Sequence, residues 1–440
     1  MKVLIIDLDG LALAFALECV GARHTVRYFL KPADYINPKI GDGFKGIERV
    51  TNWVGSATWA DLVWISGNYD FMAKLEFFRD KGVAVFGPSV KSANLEIKRA
   101  EGMRFFEDHD IEVPEFQQFK TLADAEAHVR KTPDRYVFKT LGDEEDKSLS
   151  YVGKSPADMI ARIERWQRLG MNPKGPVMLQ KFIPGIEFAV SRFVGSEGFI
   201  GQYNENFEHK KLLSGNCGPN CGEAGTVMKY VDKSKIGDEV LGPLEDSLVE
   251  MGHLGDVDVN CIIDEKGQAW PLEFTTRPGW PAHNVMLREH RGDPIQWMLD
   301  ACHGEDTLEV STDVAVGIVV AQPDYPYSER DWKETEDIPI YGVSPKNQKY
   351  LKPQHVKMAT LPDMNGEGIV ERPMWATAGD YVAVATGMGG TVKQACKRAY
   401  DVISDIDIPD MIYRDDIGEK LEEELPKLHA HGYAKEFNYT

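Results

Sequence analysis

Hydrophobic and polar positions recur along this chain with two periods, and the first hundred residues set the pattern. Short apolar runs at 3–6, 62–65 and 83–86 read as buried strands. The last two flank an amphipathic stretch, 71–80, which predicts a strand–helix–strand unit of an open parallel sheet. Gly87-Pro88 punctuates the chain, and 94–108 follows as a charged helix. Strands are expected at 136–139 and 177–182, with a helix around 157–168 between them. β-rich sequence covers 187–203, a Gly/Asn/Pro/Cys loop follows, and 240–251 reads as a helix. From Val310 the chain turns β-rich again with many Pro and Gly turns, and a last helix over 391–404 precedes a polar tail. There is no internal repeat and no low-complexity linker.

The stretch 256–280, DVDVNCIIDEKGQAWPLEFTTRPGW, carries the most chemistry. Two apolar runs separated by Asp264-Glu-Lys-Gly267 predict a hairpin. Side chains alternate across a strand, so Asp258 and Asn260 share one face, as do Glu273 and Thr275 on the returning strand. Glu273 lies between Leu272 and Phe274, a costly place for a carboxylate without a cationic partner. Mg²⁺ carrying substrate phosphates is one such partner, because it takes hard oxygen ligands and is held by one or two carboxylates. A salt bridge to Arg277 is the other.

Length and composition narrow the classes. At 440 residues the chain is long enough for about three domains. It is 42% hydrophobic and 27% charged, with no run long and apolar enough to span a bilayer. The opening MKVLIIDLDGLALAFALECVGA has the outline of a leader peptide, but Asp7 and Asp9 interrupt it, so a first strand followed by a helix is expected. Six scattered cysteines form no disulfide framework and fit a cytoplasmic protein. A net charge of −20 disfavours nucleic acid and anionic membranes as partners, while a local basic cleft remains compatible with ATP.

Four further constellations add candidate chemistry. Lys139 ends a short apolar strand after Phe138; a phosphate ligand or a snorkelling surface lysine both fit. In Gln180-Lys181-Phe182-Ile-Pro-Gly185-Ile-Glu187, a strand meets a turn whose backbone suits adenine, with Glu187 available to ribose hydroxyls or simply solvated. Glu208-His209-Lys210-Lys211 precedes CGPNCGEAG (217–225), where lysines and glycine-exposed N–H groups face an anion. Cys217 and Cys221 lack the second pair that a structural zinc site needs. Arg277 is suited to holding a carboxylate or phosphate bidentately, and His283 reads as structural.

In their order along the chain these motifs resemble the ATP-grasp ligases, and among them the glycinamide ribonucleotide synthetases (phosphoribosylamine:glycine ligases), over nearly the whole length. Gly87-Pro-Ser with Leu95-Glu96 and Lys98-Arg99 is similar to the start of the family's ATP-grasp domain. Val137-Phe-Lys139 is similar to its phosphate-binding lysine strand, and 180–187 to its hinge and ribose-binding acid. Glu208-His-Lys-Lys211 stands where the family has Asp-His-Lys-Arg, and CGPNCGEAG where it has TGPNTGGMG. Leu272-Glu-Phe-Thr-Thr-Arg277 resembles the magnesium strand Glu-Phe-Asn-Cys-Arg. Gly379-Asp-Tyr-Val, Ala399-Tyr400 and Tyr413-Arg-Asp-Asp-Ile-Gly418 resemble the C-terminal pattern.

The resemblance implies an α/β chain: an N-terminal open parallel-sheet domain for the acceptor (1–90), an ATP-grasp domain (91–305) with a lid subdomain at about 112–183, a small β-rich C-terminal domain (306–417) and a polar helical tail (418–440). It implies ATP and Mg²⁺, with Mn²⁺ as a substitute. Lys98, Arg99, Lys139, Lys147 and Ser148 would hold phosphates, Gln180, Lys181 and Phe182 adenine, and Glu187 ribose. Glu273 would hold the metal, supported by Thr275 and by Asp258 or Asn260. Lys210, Lys211, Arg277 and Asn220, with Gly218, Pro219 and Gly222 of the loop, would orient the acyl phosphate and the substrates. The expected reaction is ADP-forming amide synthesis from glycine or another amino acid and an amine, by a monomer or homodimer.

The departures concentrate at the acceptor. The family's glycine-rich Gly-Gly-Arg-Glu-His opening is here Asp7-Leu-Asp9-Gly10-Leu-Ala-Leu-Ala14, the wrong electrostatic sign for a sugar phosphate. Gly67-Asn-Tyr-Asp-Phe-Met72 replaces Gly-Pro-Glu-Ala-Pro-Leu, the lid loop reads Gly142-Asp-Glu-Glu-Asp-Lys-Ser148, and Thr275 stands at the usual asparagine. Three readings follow: glycinamide ribonucleotide synthesis in the purine pathway, a ligase for a different amine, and a catalytically silent nucleotide-binding protein.

Overall fold

The computed structural model describes residues 1–141, 149–328, 331–365 and 368–440. The N-terminal sheet is wholly parallel, in the order β3-β2-β1-β4-β5 (β1 Lys2–Asp7, β2 Thr25–Leu30, β3 Ile47–Arg49, β4 Leu62–Ile65, β5 Val85–Phe86). Parallel strands are covered on both faces, which is why β1 and β4 read as unbroken apolar runs. The helix Leu13–Gly21 has no cap from its own N-cap residue, Ala12.

A second sheet stands apart in the order β6-β9-β7-β8 (β6 Phe116–Phe119, β7 Tyr136–Thr140, β8 Tyr151–Val152, β9 Val177–Lys181). The helices Leu122–Lys131 and Pro156–Arg168 cover one of its faces, capped by Thr121 and Ser155. Alternation along β7 buries Tyr136, Phe138 and Thr140 and turns Lys139 to the opposite face.

The third sheet has eight strands, in the order β16-β15-β10-β11-β14-β17-β22-β19, paired antiparallel throughout. Its strands are β10 Gly185–Val194, β11 Phe199–Glu208, β14 Gly225–Val231, β15 Gly255–Asp264, β16 Ala269–Thr275, β17 Val314–Val320, β19 Leu351–Pro353 and β22 Ala383–Gly389. Between β11 and β14 lies the small hairpin β12 Lys211–Leu213 and β13 Cys217–Asn220. Three strands drawn from beyond residue 306 thus extend the sheet that carries the predicted hairpin. The remaining strands, β18 Glu336–Pro339, β20 Val356–Asn365 and β21 Gly368–Ala378, form a separate sheet.

Three elements differ from the periodicity. The helix expected over 94–108 is two helices, Val90–Ile97 and Arg99–Glu107, broken where Lys98 leaves helical geometry at φ −102°, ψ 70°. Gly102 sits at that corner because a Cβ there would lie 2.3 Å from the Leu95 carbonyl oxygen. The helix expected over 240–251 is divided by Gly242-Pro243 into Lys235–Val240, a 3-10 turn and Glu245–Glu250. The segment after 418 is more than a polar tail: Leu421, Leu425, Leu428, Tyr433 and Phe437 are buried in the main core.

Candidate functional site

The hairpin of β15 and β16 forms with the expected register, pairing Asp258 with Thr275 and Asn260 with Glu273. All four side chains therefore share one face of the large sheet. The helix Arg99–Glu107 packs on β16 through Phe106, whose ring stacks on Phe274 at 4.2 Å with an interplanar angle of 4°. That stacking fixes the strand bearing Glu273, and the break at Lys98 starts the helix that delivers Arg99.

Cations converge on Glu273. Arg99 donates to one carboxylate oxygen, Lys139 Nζ lies 3.8 Å from the same oxygen, and Lys210 Nζ lies 3.3 Å from the other. Lys139 also donates to the Leu272 carbonyl at 3.2 Å, so the small sheet reaches the large one at this point. Burial alone would disfavour the Glu273 carboxylate, but Arg99, Lys139 and Lys210 outweigh it and hold the group well below its usual range. Burial pushes Lys139 down to about 8, against the attraction of Glu273 and with repulsion from Arg99 and Lys210.

Lys210 is the hub of this cluster. Its ammonium lies 2.7 Å from Glu187, 3.2 Å from Glu208 and 3.3 Å from Glu273. Burial works against that charge, and the three carboxylates raise the lysine well above its normal range despite it. Asn260 Nδ2 donates to Glu208 at 2.8 Å, which leaves Asn260 Oδ1 buried with no hydrogen-bond partner. Asp258 accepts from Asn206 Nδ2 at 2.8 Å, and burial with the neighbouring Glu208 and Asp256 raises it well above the carboxylate range.

Several expectations change. Glu273 does not pair with Arg277. Arg277 is instead held by Glu96, whose Oε1 lies 3.2 Å from both Nε and Nη2. Glu96 also accepts from the Thr276 N–H and Asn68 Nδ2, which ties the first domain to the end of β16. Of the pair Lys98 and Arg99, only Arg99 faces Glu273, whereas Lys98 bridges outward to Glu101 at 3.2 Å because the helix restarts between them. The Lys181 side chain likewise points to Asp134 at 3.1 Å, away from buried Gln180. Phe182 lies under the Arg135 guanidinium, 3.4 Å from the ring centre. Lys147 and Ser148 lie outside the described residues.

Lys211 and Asn220 face each other across the β12–β13 hairpin, with Lys211 Nζ donating to the Gly218 carbonyl at 3.3 Å. Gly218 and Gly222 both adopt φ of +77°, which side-chain-bearing residues resist. Pro219 and Asn220 lie between them, partly buried and exposed respectively. Arg414 clamps this hairpin, donating to the Lys211 carbonyl and to Asn216 Oδ1, both at 3.0 Å, while pairing with Asp416. Motif reading had not assigned Arg414, Glu96 or Glu208 to the site. Each sits inside a quoted motif, but only the tertiary contacts give it a role.

In the first domain, Asp7 closes β1. Its Oδ1 accepts from the backbone N–H groups of Asp9, Gly10 and Leu11 at 3.2, 3.0 and 3.2 Å, and from Ser66 Oγ at 3.2 Å. Its Oδ2 accepts from the Ala12 N–H at 2.8 Å and from the Tyr28 hydroxyl. Asp7 therefore caps the first helix from five residues before its N-cap.

Taken together, the parallel N-terminal domain, the small four-stranded sheet and the large antiparallel sheet with its cationic cluster make this a protein of the ATP-grasp fold. The fold covers 94% of this chain and all of the phosphoribosylamine–glycine ligase structure from Thermotoga maritima, at TM-score 0.71 and 20% identity. It covers 98% of this chain and 97% of a Campylobacter jejuni biotin carboxylase, at TM-score 0.62 and 11% identity. The more particular resemblance is to the phosphoribosylamine–glycine ligases: the Salmonella typhimurium enzyme of that name is 26% identical over 361 residues, spanning 78% of this chain and 79% of its own. A family model described as the phosphoribosylglycinamide synthetase C domain matches residues 315–420.

Proposed function

We propose that this protein is an ADP-forming carboxylate–amine ligase of the phosphoribosylamine–glycine ligase type. The observation that carries the reading is the convergence of Arg99, Lys139 and Lys210 on Glu273, where the small sheet meets the large one. Three cations around one carboxylate form a phosphate-binding floor that can be re-partnered when a polyphosphate enters. The donor set also suits a hard cation: Glu273, Glu208 and the partnerless Asn260 Oδ1 are all oxygen ligands. Among the described residues no three His, Cys, Asp or Glu side chains form a ready-made metal cage, in keeping with an ion held jointly by protein and nucleotide. When bound there, Mg²⁺ supplies neutralisation of phosphate charge. Mn²⁺ has the same preference for oxygen ligands and is the substitute to try.

Arg99 and Lys139 hold the terminal phosphates, and the backbone of Gln180 to Phe182 frames adenine. Glu187, steered by Lys210, meets the ribose. The acid substrate attacks the γ-phosphate, breaking its bond to ADP, to give an acyl phosphate and ADP; the growing charge falls to Lys210, Lys211 and the loop N–H groups around Gly218. An amine then displaces phosphate. No step needs a protein nucleophile, so positioning and electrostatics supply the rate enhancement.

For the substrates, the resemblance over 78% of the chain supports glycine and phosphoribosylamine, which places the reaction in purine biosynthesis. A different amine is the second reading, favoured by Asp7 in the loop where the resemblance expects a sugar phosphate. ADP release is the test, with ATP, Mg²⁺ and glycine or other amino acids, against phosphoribosylamine generated in situ and a panel of other amines. Amine-dependent ADP release supports the ligase. Its absence with every combination, with ATP still bound, would leave a silent nucleotide-binding protein.

A further inference from the structure

The hairpin that carries Lys211, Gly218 and Asn220 has little of its own to hold it in shape. β12 has three residues and β13 four, the register shifts between Lys211 and Leu213, and most of β13 faces solvent. A two-stranded hairpin of that kind is marginal in water. Its turn also needs left-handed backbone, with Gly215 at φ +67° and Asn216 at φ +55°. Yet the hairpin continues directly from Lys210, whose carbonyl accepts the Cys221 N–H at 3.0 Å, and Lys210 belongs to the Glu273 cluster. Whatever sets the hairpin therefore sets where Lys211 and the loop N–H groups stand relative to that cluster.

What sets it lies near the far end of the chain. Arg414 is buried, and its guanidinium spans the turn: Nη1 donates to the Lys211 carbonyl and Nη2 to Asn216 Oδ1, both at 3.0 Å. Asp416 pairs with the same guanidinium and accepts the Gly215 N–H at 2.8 Å, while Asp415 accepts from the Ser214 hydroxyl. Further on, the Gly418 N–H donates to His209 Nε2 at 3.1 Å, and Lys420 Nζ donates to the Glu208 carbonyl at 3.1 Å. The segment 414–420 thus grips both the strand that leads into Lys210 and the hairpin that follows it. It is anchored in turn by Tyr400 on the helix Val392–Ser404, whose hydroxyl donates to the Arg414 carbonyl at 3.0 Å and accepts the Ile417 N–H at 2.9 Å. A planar guanidinium with two arms engaged fixes the spacing of its acceptors, which a flexible ammonium does not.

Resting on the ligase reading above, we infer that Arg414 is a positioning residue for phosphoryl transfer, acting through the β12–β13 hairpin to place Lys211 and the loop N–H groups beside Lys210. It touches no reacting atom. Arg99, Lys139, Glu187 and Glu273 sit on other elements and take no contact from Arg414, so nucleotide binding does not depend on it. Its loss therefore falls on the chemical step and leaves the affinity for nucleotide.

The test uses the full chain and has two arms. In the turnover arm, ADP release is followed with ATP, Mg²⁺, glycine and phosphoribosylamine generated in situ. Arg414→Met is expected to lower kcat by about 100-fold, the scale of a small misplacement of positioned groups, with the KM for ATP and the affinity for ADP within about twofold of native. Arg414→Lys, which keeps the charge without the fork, is expected to fall between the two. A kcat within about threefold of native overturns the inference, and so does a loss of ADP affinity in step with kcat, which marks a general structural brace. Should Arg414→Met fail to fold, Asn216→Gly removes one acceptor while keeping the left-handed turn, and is expected to lower kcat by about tenfold on the same terms. In the second arm, amide hydrogen exchange over residues 211–220 is expected to quicken by about tenfold or more in Arg414→Met, with β16 unchanged. Unchanged exchange in the hairpin overturns the inference. If the native protein turns over no amine, the ligase reading fails and the catalytic consequence with it, while the exchange arm still decides whether Arg414 holds the hairpin.

Discussion

Glu273 and Asp7 are both carboxylates enclosed by donors near a strand end, one in the large antiparallel sheet and one in the parallel first sheet. Their partners differ in kind. Glu273 is surrounded by the long side chains of Arg99, Lys139 and Lys210, which in the proposed function turn to an incoming phosphate and leave the carboxylate to a metal ion. Asp7 is held by backbone N–H groups and two hydroxyls that the fold itself fixes in place. Under the proposed function the first arrangement is exchangeable, whereas the second is already complete, although formal charge alone makes them look alike.

The strongest way to break that comparison is to remove Glu273. Glu273→Ala is expected to lower turnover by about 10³-fold, the scale of losing a principal electrostatic contact, while circular dichroism shows a folded protein. Full retained activity would end the metal assignment. Asp7→Ala should do the reverse, lowering stability by about 3 kcal/mol in urea unfolding because several buried donors lose their partner. A change of a few tenths would show that the loop is solvated and open.

Lys139 sharpens the contrast through pH. Its value near 8 means that the free protein loses this charge as pH rises, so under the phosphate-binding role proposed for Lys139 kcat/KM for ATP should fall above about pH 8. Lys139→Arg should move that limb to higher pH, and an unmoved profile would assign it to another group. The stability effect has the opposite sign. Between about 8 and 10.5 the unfolded lysine keeps a proton that the folded one has shed, so this group makes stability rise with pH across that window. The smallest effect is expected at exposed Cys217: Cys217→Ser should shift stability by less than about 0.5 kcal/mol and leave turnover nearly unchanged. A large loss would reveal a role for the thiol that the hairpin geometry does not require.

Period-2 alternation sufficed to pair Asp258, Asn260, Glu273 and Thr275 on one face, because strand side chains alternate whatever the surroundings. The parallel first domain was equally legible from its unbroken apolar runs. The β-rich stretch after 310 was legible too, but its contribution of β17, β19 and β22 to the large sheet was not, since pairing partners are long-range. Local helical pattern also carried past Lys98, where the break depends on Gly102 meeting the Leu95 carbonyl.

The sequence by itself determined which chemical groups this protein has and in what order: a lysine strand, an acid hairpin, a glycine loop and two unexpected aspartates after β1. Tertiary structure decided which of them face each other. Arg277 went to Glu96, and Glu273 to Arg99, Lys139 and Lys210. Asp7, which read as a misplaced charge, became the anion of its own binding loop. The physical reason is that a charge acquires its meaning from neighbours within a few ångströms, and here most of those neighbours lie far apart along the chain.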